Sequence, residues 1–291
     1  MIRNHQISVI GTGAVGSALA RSLHEKGIFI SGLYNRTKSV ADQLAGDVDA
    51  ETTGAFPGSL EFLGTICFIC VPDDGLPEIV ERLSALEGVF SKVSFVHTSG
   101  AKPASLLMPL QKRGSETASL HPLQTFDGTS NTNIFKSTYI SLQGDHNLVH
   151  ELQHLVDILG ARYLVVDEQQ KTGLHLSAVF ACNYLAALME AAQKSLNLNE
   201  PGIDVIKVMD PLIFKTWENI TRNGVDHSLT GPISRGDAGT IQKHLTLLEE
   251  SPQLSNLYRQ LGSLALEIAE RKGLDQDKIK RIQHILDDSK T

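Results

Sequence analysis

The stretch Gln6-Ile-Ser-Val-Ile-Gly11-Thr-Gly13-Ala-Val-Gly16-Ser-Ala-Leu-Ala-Arg-Ser-Leu-His-Glu-Lys26-Gly27 decides the fold. Its first five residues form a short apolar run rich in β-branched side chains, as a strand requires, and Gly11 to Leu23 carries small residues at helical spacing. Between them lies a tight turn. Lys26-Gly27 supplies a basic last helical turn and a glycine stop, after which Ile28 to Tyr34 resumes strand character. A strand–helix–strand unit therefore closes by Tyr34.

The pattern G-x-G-x-x-G is common by itself; its place between a strand and a helix gives it meaning. In Gly11-Thr12-Gly13-Ala14-Val15-Gly16 the first glycine permits the turn, the second lets a pyrophosphate approach the backbone, and the third allows close helix–strand packing. A bound dinucleotide is expected. At the end of the second strand, where a carboxylate would accept hydrogen bonds from an adenosine ribose, the sequence reads Asn35-Arg36-Thr37-Lys38-Ser39. Arg36 can stack on adenine and pair with a ribose 2′-phosphate, and Thr37, Lys38 and Ser39 add donors, so NADP(H) is expected over NAD(H). Val71-Pro72-Asp73-Asp74 follows another apolar strand and is expected to shape the nicotinamide side of the pocket.

Working outward, strand patterns recur at Thr65 to Val71, Val93 to His97, Thr117 to Leu120, Thr138 to Leu142 and Ala161 to Val166, interleaved with helices and loops. After about Asp167 the pattern becomes helical, with segments near Glu168 to Leu196, Ile203 to Asn223, Gly239 to Glu249, Gln253 to Lys272 and Gln276 to Asp287. The expected fold class is α/β: a Rossmann-type, mostly parallel sheet over residues 1–166, followed by an all-helical domain over 167–291. A length of 291 residues agrees with two domains.

Composition excludes several classes of protein. With 41% hydrophobic and 20% charged residues the chain has material for a sizeable core, and a net charge of -7 disfavours nucleic acid and anionic membrane surfaces as partners. Three cysteines make no disulfide framework, so a reducing, cytoplasmic location is expected, and Met1 to Ile10 lacks the long apolar segment of a cleaved signal. Leu174 to Ala192 approaches membrane-spanning length but carries His175, Ser177, Asn183, Tyr184 and Glu190, which reads as a buried helix of a soluble protein. Cys67 and Cys70 look like a C-x-x-C pair, yet their odd separation in an extended strand points them to opposite faces. His146, His150 and His154 have helical ligand spacing without an acidic or cysteine partner, so no metal site is expected.

Chemistry beyond the cofactor is expected at the sheet edge. His97-Thr-Ser99-Gly-Ala-Lys102 and Ser119-Leu-His121-Pro-Leu-Gln124-Thr-Phe126 each follow a strand. His121 is the expected proton-transfer residue, with Ser99 or Gln124 orienting a substrate atom. Lys171 and His175 are helical neighbours, and Asn183 follows two turns later near their side; such polar groups on an apolar helix can serve a substrate or one another. A lysine in a first helical turn is usually solvated. Thr230-Gly-Pro-Ile-Ser-Arg235-Gly-Asp237 is expected as a flexible segment between helices, with Arg235 available to an anionic substrate group or the cofactor.

Taken together, Gly11 to Gly16, Asn35-Arg-Thr37, His97-Thr-Ser-Gly100, Ser119 to Phe126, the His175 to Leu185 helix and Gly231 to Asp237 resemble the NADP oxidoreductases in which a Rossmann-like domain precedes a helical domain of unknown function. More distantly the chain is similar to pyrroline-5-carboxylate reductases, 6-phosphogluconate and β-hydroxyacid dehydrogenases, and prephenate dehydrogenases. The resemblance implies a small-molecule pocket between two domains, often completed across a homodimer, and hence a substrate-binding or dimerisation role for the helical domain 167–291. Ser99 and His121 match polar catalytic positions of prephenate dehydrogenases, whereas His175 stands where the hydroxyacid-dehydrogenase pattern has asparagine. The expected activity is hydride transfer between NADP(H) and a small C=O or C=N substrate, catalysed with His121, Ser99, His175, Asn183 and Lys171. A non-catalytic NADP(H)-binding sensor or scaffold and a prephenate-dehydrogenase-like enzyme are the alternatives.

Overall fold

Period-two burial decides how the strands are used. In Ile66-Cys-Phe-Ile69, Ile66 and Phe68 enter one apolar cluster while Cys67 and Ile69 enter the other. A strand buried on both faces belongs inside a parallel sheet covered by helices on each side. A computed structural model describes residues 5–128, 132–196 and 204–287. Among them eight strands form one sheet: β1 (Gln6–Ile10), β2 (Phe29–Tyr34), β3 (Thr52–Gly54), β4 (Ile66–Ile69), β5 (Ser94–His97), β6 (Thr117–Pro122), β7 (Tyr139–Gly144) and β8 (Arg162–Val165). The spatial order is β3-β2-β1-β4-β5-β6-β7-β8, and every pairing is parallel except β6 with β7. The chain reverses direction across the sheet between β1 and β4, which is where ligands bind in this architecture.

Helices α1 (Ala14–Glu25), α2 (Lys38–Val48), α3 (Leu76–Ser84), α4 (Met108–Gln111), α5 (His146–Ile158) and α6 (Glu168–Ala178) accompany the sheet. Leu19 and Leu23 of α1 and Leu148, Leu152 and Leu155 of α5 fill one face; Leu76, Val80 and Leu83 of α3 fill the other with Phe90 and Phe95. The fold class is therefore the one expected. The sequence pattern missed the short strand β3, whose Thr52-Thr-Gly54 has no apolar run to announce it.

The secondary structure changes after Val165, whereas packing divides the chain into Met1–Phe180 and Ala181–Thr291. The offset has a physical cause in α6: a reciprocal cap between Asp167 and Gln170 starts it, and its Lys171 is tied to the sheet by two hydrogen bonds. The second unit contains α7 (Tyr184–Ser195), α8 (Val205–Ser228), α9 (Gly231–Arg235), α10 (Ala238–Leu247), α11 (Pro252–Arg271) and α12 (Gln276–Asp287). Ile241, Leu245, Leu266, Ile279, Ile282 and Leu286 form its own core.

Two expectations need correction here. The expected buried helix is not buried: Glu168–Ser195 is long and apolar enough to cross a membrane by length and composition, and none of its most apolar window is buried in this chain. Its apolar residues, among them Leu176 and Leu185, are left facing outward. The segment Gly231 to Asp237 is not a flexible loop. Pro232 opens the short helix α9, left-handed Gly236 closes it, and the Asp237 carboxylate caps α10 by accepting from Thr240 N at 3.0 Å.

Candidate active site

The glycine turn is built as its chemistry requires. Gly11 has φ +94° and donates its N–H to Tyr34 O at 2.7 Å, and a Cβ there would lie 2.5 Å from Cys70 O. A Cβ on Gly16 would lie 2.0 Å from Gly11 O, so this glycine is dictated by packing. Gly13 differs: a Cβ there would have no atom within 4 Å, and Gly13 caps α1 without a side-chain hydrogen bond. An open surface over uncapped helix N–H groups fits a pyrophosphate.

Asn35 braces this cradle. Its Nδ2 donates to Thr12 Oγ1 at 2.9 Å and its Oδ1 accepts from Thr37 N at 2.9 Å, joining the turn after β1 to the basic loop after β2. Thr12 is buried, which makes these two residues supports as much as ligands. Arg36 and Lys38 are exposed, and Lys38 is 3.7 Å from Asp42. The residues present thus fit a dinucleotide bearing a 2′-phosphate.

At the next strand ends, polar groups converge. His97, fully buried at the end of β5, accepts from Ser99 N at Nδ1 (3.2 Å), which leaves Nε2 to donate to Pro103 O (3.1 Å). Both ring nitrogens are used and the neutral tautomer is fixed. Burial, with help from the Lys171 charge, lowers its pKa to about 4, against the opposing field of Asp73. Ser99 Oγ accepts from Lys102 N at 2.9 Å, completing the turn.

Lys171 is 2% exposed, contrary to the usual solvation of a first-turn lysine. Its Nζ donates to Ser99 O at 2.8 Å and to Ser119 Oγ at 2.7 Å, bridging the ends of β5 and β6. Burial lowers its pKa to about 8, with Asp73 acting the other way. His121 belongs to β6 itself and shares a face with Ser119 two residues earlier. Its pKa is lowered to about 4 by burial first, then by Lys171 and His175, with Asp73 opposing. The His121 and His175 ring centroids are 6.1 Å apart with an interplanar angle of 66°.

The structure therefore brings Ser99, His121, Lys171 and His175 together, and places the Asp73 charge within reach of them. Three further residues were not singled out by the sequence: Ser119, Gly100 and His97. The i,i+2 spacing of Ser119 and His121 on one strand was the signal available for the first. Gln124 is committed to its own loop, where its Nε2 is 3.4 Å from both Ile134 O and Thr138 Oγ1 and its Oε1 accepts from Thr125 N. Asn183 and Arg235 lie in the second unit and are exposed. Asn183 ends a π-helical segment, Val179–Asn183, which changes the angular register assumed from α-helical spacing. The expected opposite facing of Cys67 and Cys70 agrees with their separate apolar clusters, and burial pushes both thiols up to about 12.

Residues 2–122 match the Rossmann-like domain, and residues 138–265 match a domain of unknown function, DUF2520. The two matches set a Rossmann-like segment ahead of a DUF2520 segment, the order that its residues resemble. Among solved structures it is similar to the candidate NADP oxidoreductase BF3122 of Bacteroides fragilis, with 26% identity, a TM-score of 0.74, and coverage of 92% of this chain and 100% of that one. A reductive aminase from Aspergillus terreus, solved with NADPH, cyclohexanone and allyl amine, shares the fold at 15% identity and TM-score 0.64, covering 97% and 99% of the two chains. Prephenate dehydrogenase from Aquifex aeolicus shares it at 14% identity and TM-score 0.56, covering 92% and 100%. No match was found among curated protein sequences.

Proposed function

We propose that this protein is an NADP(H)-dependent oxidoreductase that moves a hydride to or from a small C=O or C=N compound. The observation that carries the reading is the placement of Ser99, His121, Lys171 and His175 at the strand ends that follow the β1/β4 switch point and its open glycine cradle. The similarity to the candidate oxidoreductase from Bacteroides fragilis supports the general class. Gly11 to Gly16 would hold the pyrophosphate, Arg36 and Lys38 the 2′-phosphate, and Val71 to Asp73 would flank the nicotinamide. When bound, the nicotinamide supplies or accepts the hydride.

The protein's own residues handle the proton. Held neutral by burial and by its cationic neighbour, His121 is set to accept a proton during substrate oxidation; in reduction it must first be loaded with one. Lys171 spends two of its N–H donors on Ser99 and Ser119, which fixes the positions of the strand ends. This commitment weighs against a prephenate-like dicarboxylate, which needs free cations. A pure sensor has no use for imidazoles and a buried lysine gathered beside the cradle.

We propose that the chain works as a homodimer, the assembly that its resemblance to two-domain NADP oxidoreductases implies. The enzymatic reading is tested by titrating NADPH and NADH into the protein and then following nicotinamide absorbance across panels of carbonyls, imines, amines and alcohols. Tighter NADPH binding that is lost in Arg36→Ala, and turnover that is lost in His121→Ala, are expected. NADH binding as tight as NADPH binding sinks the cofactor assignment, and full turnover by His121→Ala sinks the role of that residue.

A further inference from the structure

Gly100 is a glycine for a reason unrelated to backbone strain, because its φ lies outside the left-handed region. A Cβ on Gly100 would lie 2.6 Å from both Cε1 and Nε2 of His121 and 2.8 Å from Nδ1 of His175. Contacts this short require something to shift, so the edges of two imidazoles occupy the space a methyl group would need. One ring comes from β6 and the other from α6, and each presents a nitrogen to the same spot above Gly100. The spot itself is held firmly. Ser99 N donates to His97, Ser99 Oγ accepts from Lys102 N, and Ser99 O accepts from buried Lys171.

We propose that Gly100 is a positioning residue whose missing side chain lets His121 and His175 come together as one charge-coupled pair, and that this pair is the acid–base unit of the site. The proposal rests on the oxidoreductase reading for the purpose of the pair, though not for its existence. A proton on either ring disfavours a proton on the other, because the two nitrogens face the same small space. A second proton is opposed by the first, so the pair carries one at a time. Besides His175, the groups acting on His121 are Lys171 from α6, His97 from β5 and Asp73 from the turn after β4; the two cationic or cation-forming neighbours disfavour its protonation and Asp73 favours it. Electrostatics and geometry therefore describe the same unit.

The test is side-chain NMR titration of the histidines in the full chain, comparing wild type with His175→Gln and Gly100→Ala. In His175→Gln the like-charge partner is gone, and His121 is expected to bind a proton at least about threefold more tightly. In Gly100→Ala the rings are forced apart, and the same tightening is expected while the His97 resonances keep their wild-type positions. An unchanged His121 titration in His175→Gln overturns the proposal, whether or not Gly100→Ala folds. No substrate enters the experiment, so a dead activity screen with coupled histidines overturns the enzyme reading alone, and turnover with uncoupled histidines overturns the pair alone.

Discussion

Replacing His97 by Gln should remove an acid-sensitive element of stability. In the native chain the imidazole is fully buried, both nitrogens are hydrogen-bonded in the neutral form, and its pKa is lowered from 6.5 to about 4. The unfolded chain binds a proton more readily, so the stabilisation is complete above about pH 6.5 and is lost as pH falls through that value toward 4. A gap of two and a half pH units corresponds to about 3 kcal/mol, of which about 2 kcal/mol is gone by pH 5. Glutamine keeps one donor and one acceptor without titrating. Denaturant unfolding of both proteins, followed by far-ultraviolet circular dichroism at pH 7, 5 and 4, gives the comparison. Other acid-sensitive groups, His121 among them, contribute to both proteins, so the difference in unfolding free energy isolates His97. Wild type should lose its advantage over His97→Gln by about 3 kcal/mol between pH 7 and 4. A difference that stays constant to within about 0.5 kcal/mol over that range refutes the argument, since the folded chain would then be accommodating the charged ring.

Two glycines of the same turn should respond in opposite ways. Gly16→Ala places a methyl group 2.0 Å from a backbone oxygen and should cost about 3 kcal/mol or more of stability, whereas Gly13→Ala meets open space and should fold within about 1 kcal/mol of wild type while losing at least about tenfold in NADPH affinity. Thermal melting and fluorescence titration separate the two, and equal effects on stability would contradict the assigned roles. Light scattering should give twice the 31.7 kDa chain mass, and a particle of the single mass would refute the homodimer.

What the sequence determined by itself is local. A β-branched run, three glycines at fixed offsets and a basic glycine stop can be satisfied by few conformations, so β1, α1 and β2 and the glycine turn between the first two were legible without tertiary information. The absence of a carboxylate after Tyr34 was equally plain. Ser99 was legible as a candidate because it follows a strand, and His121 because it stands near the carboxyl end of one, inside β6 rather than after it; in sheets of this kind ligands gather at those ends.

The tertiary structure decided everything that depends on burial between distant segments. Lys171 looked like a solvated first-turn lysine; two acceptors, one from the turn after β5 and one from β6, make it a buried strut. The Gly-Pro-Ile-Ser-Arg-Gly-Asp run looked flexible, yet its proline, left-handed glycine and capping aspartate are a helix start, stop and restart. The helix read as buried was left exposed, because apolar composition states that a surface needs covering and says nothing about whether this chain covers it. Gly100 gave no local signal at all. Its meaning lies in the space above its Cα, which two imidazoles from elsewhere in the chain occupy, and a one-dimensional pattern records the absence of a side chain without recording what fills its place.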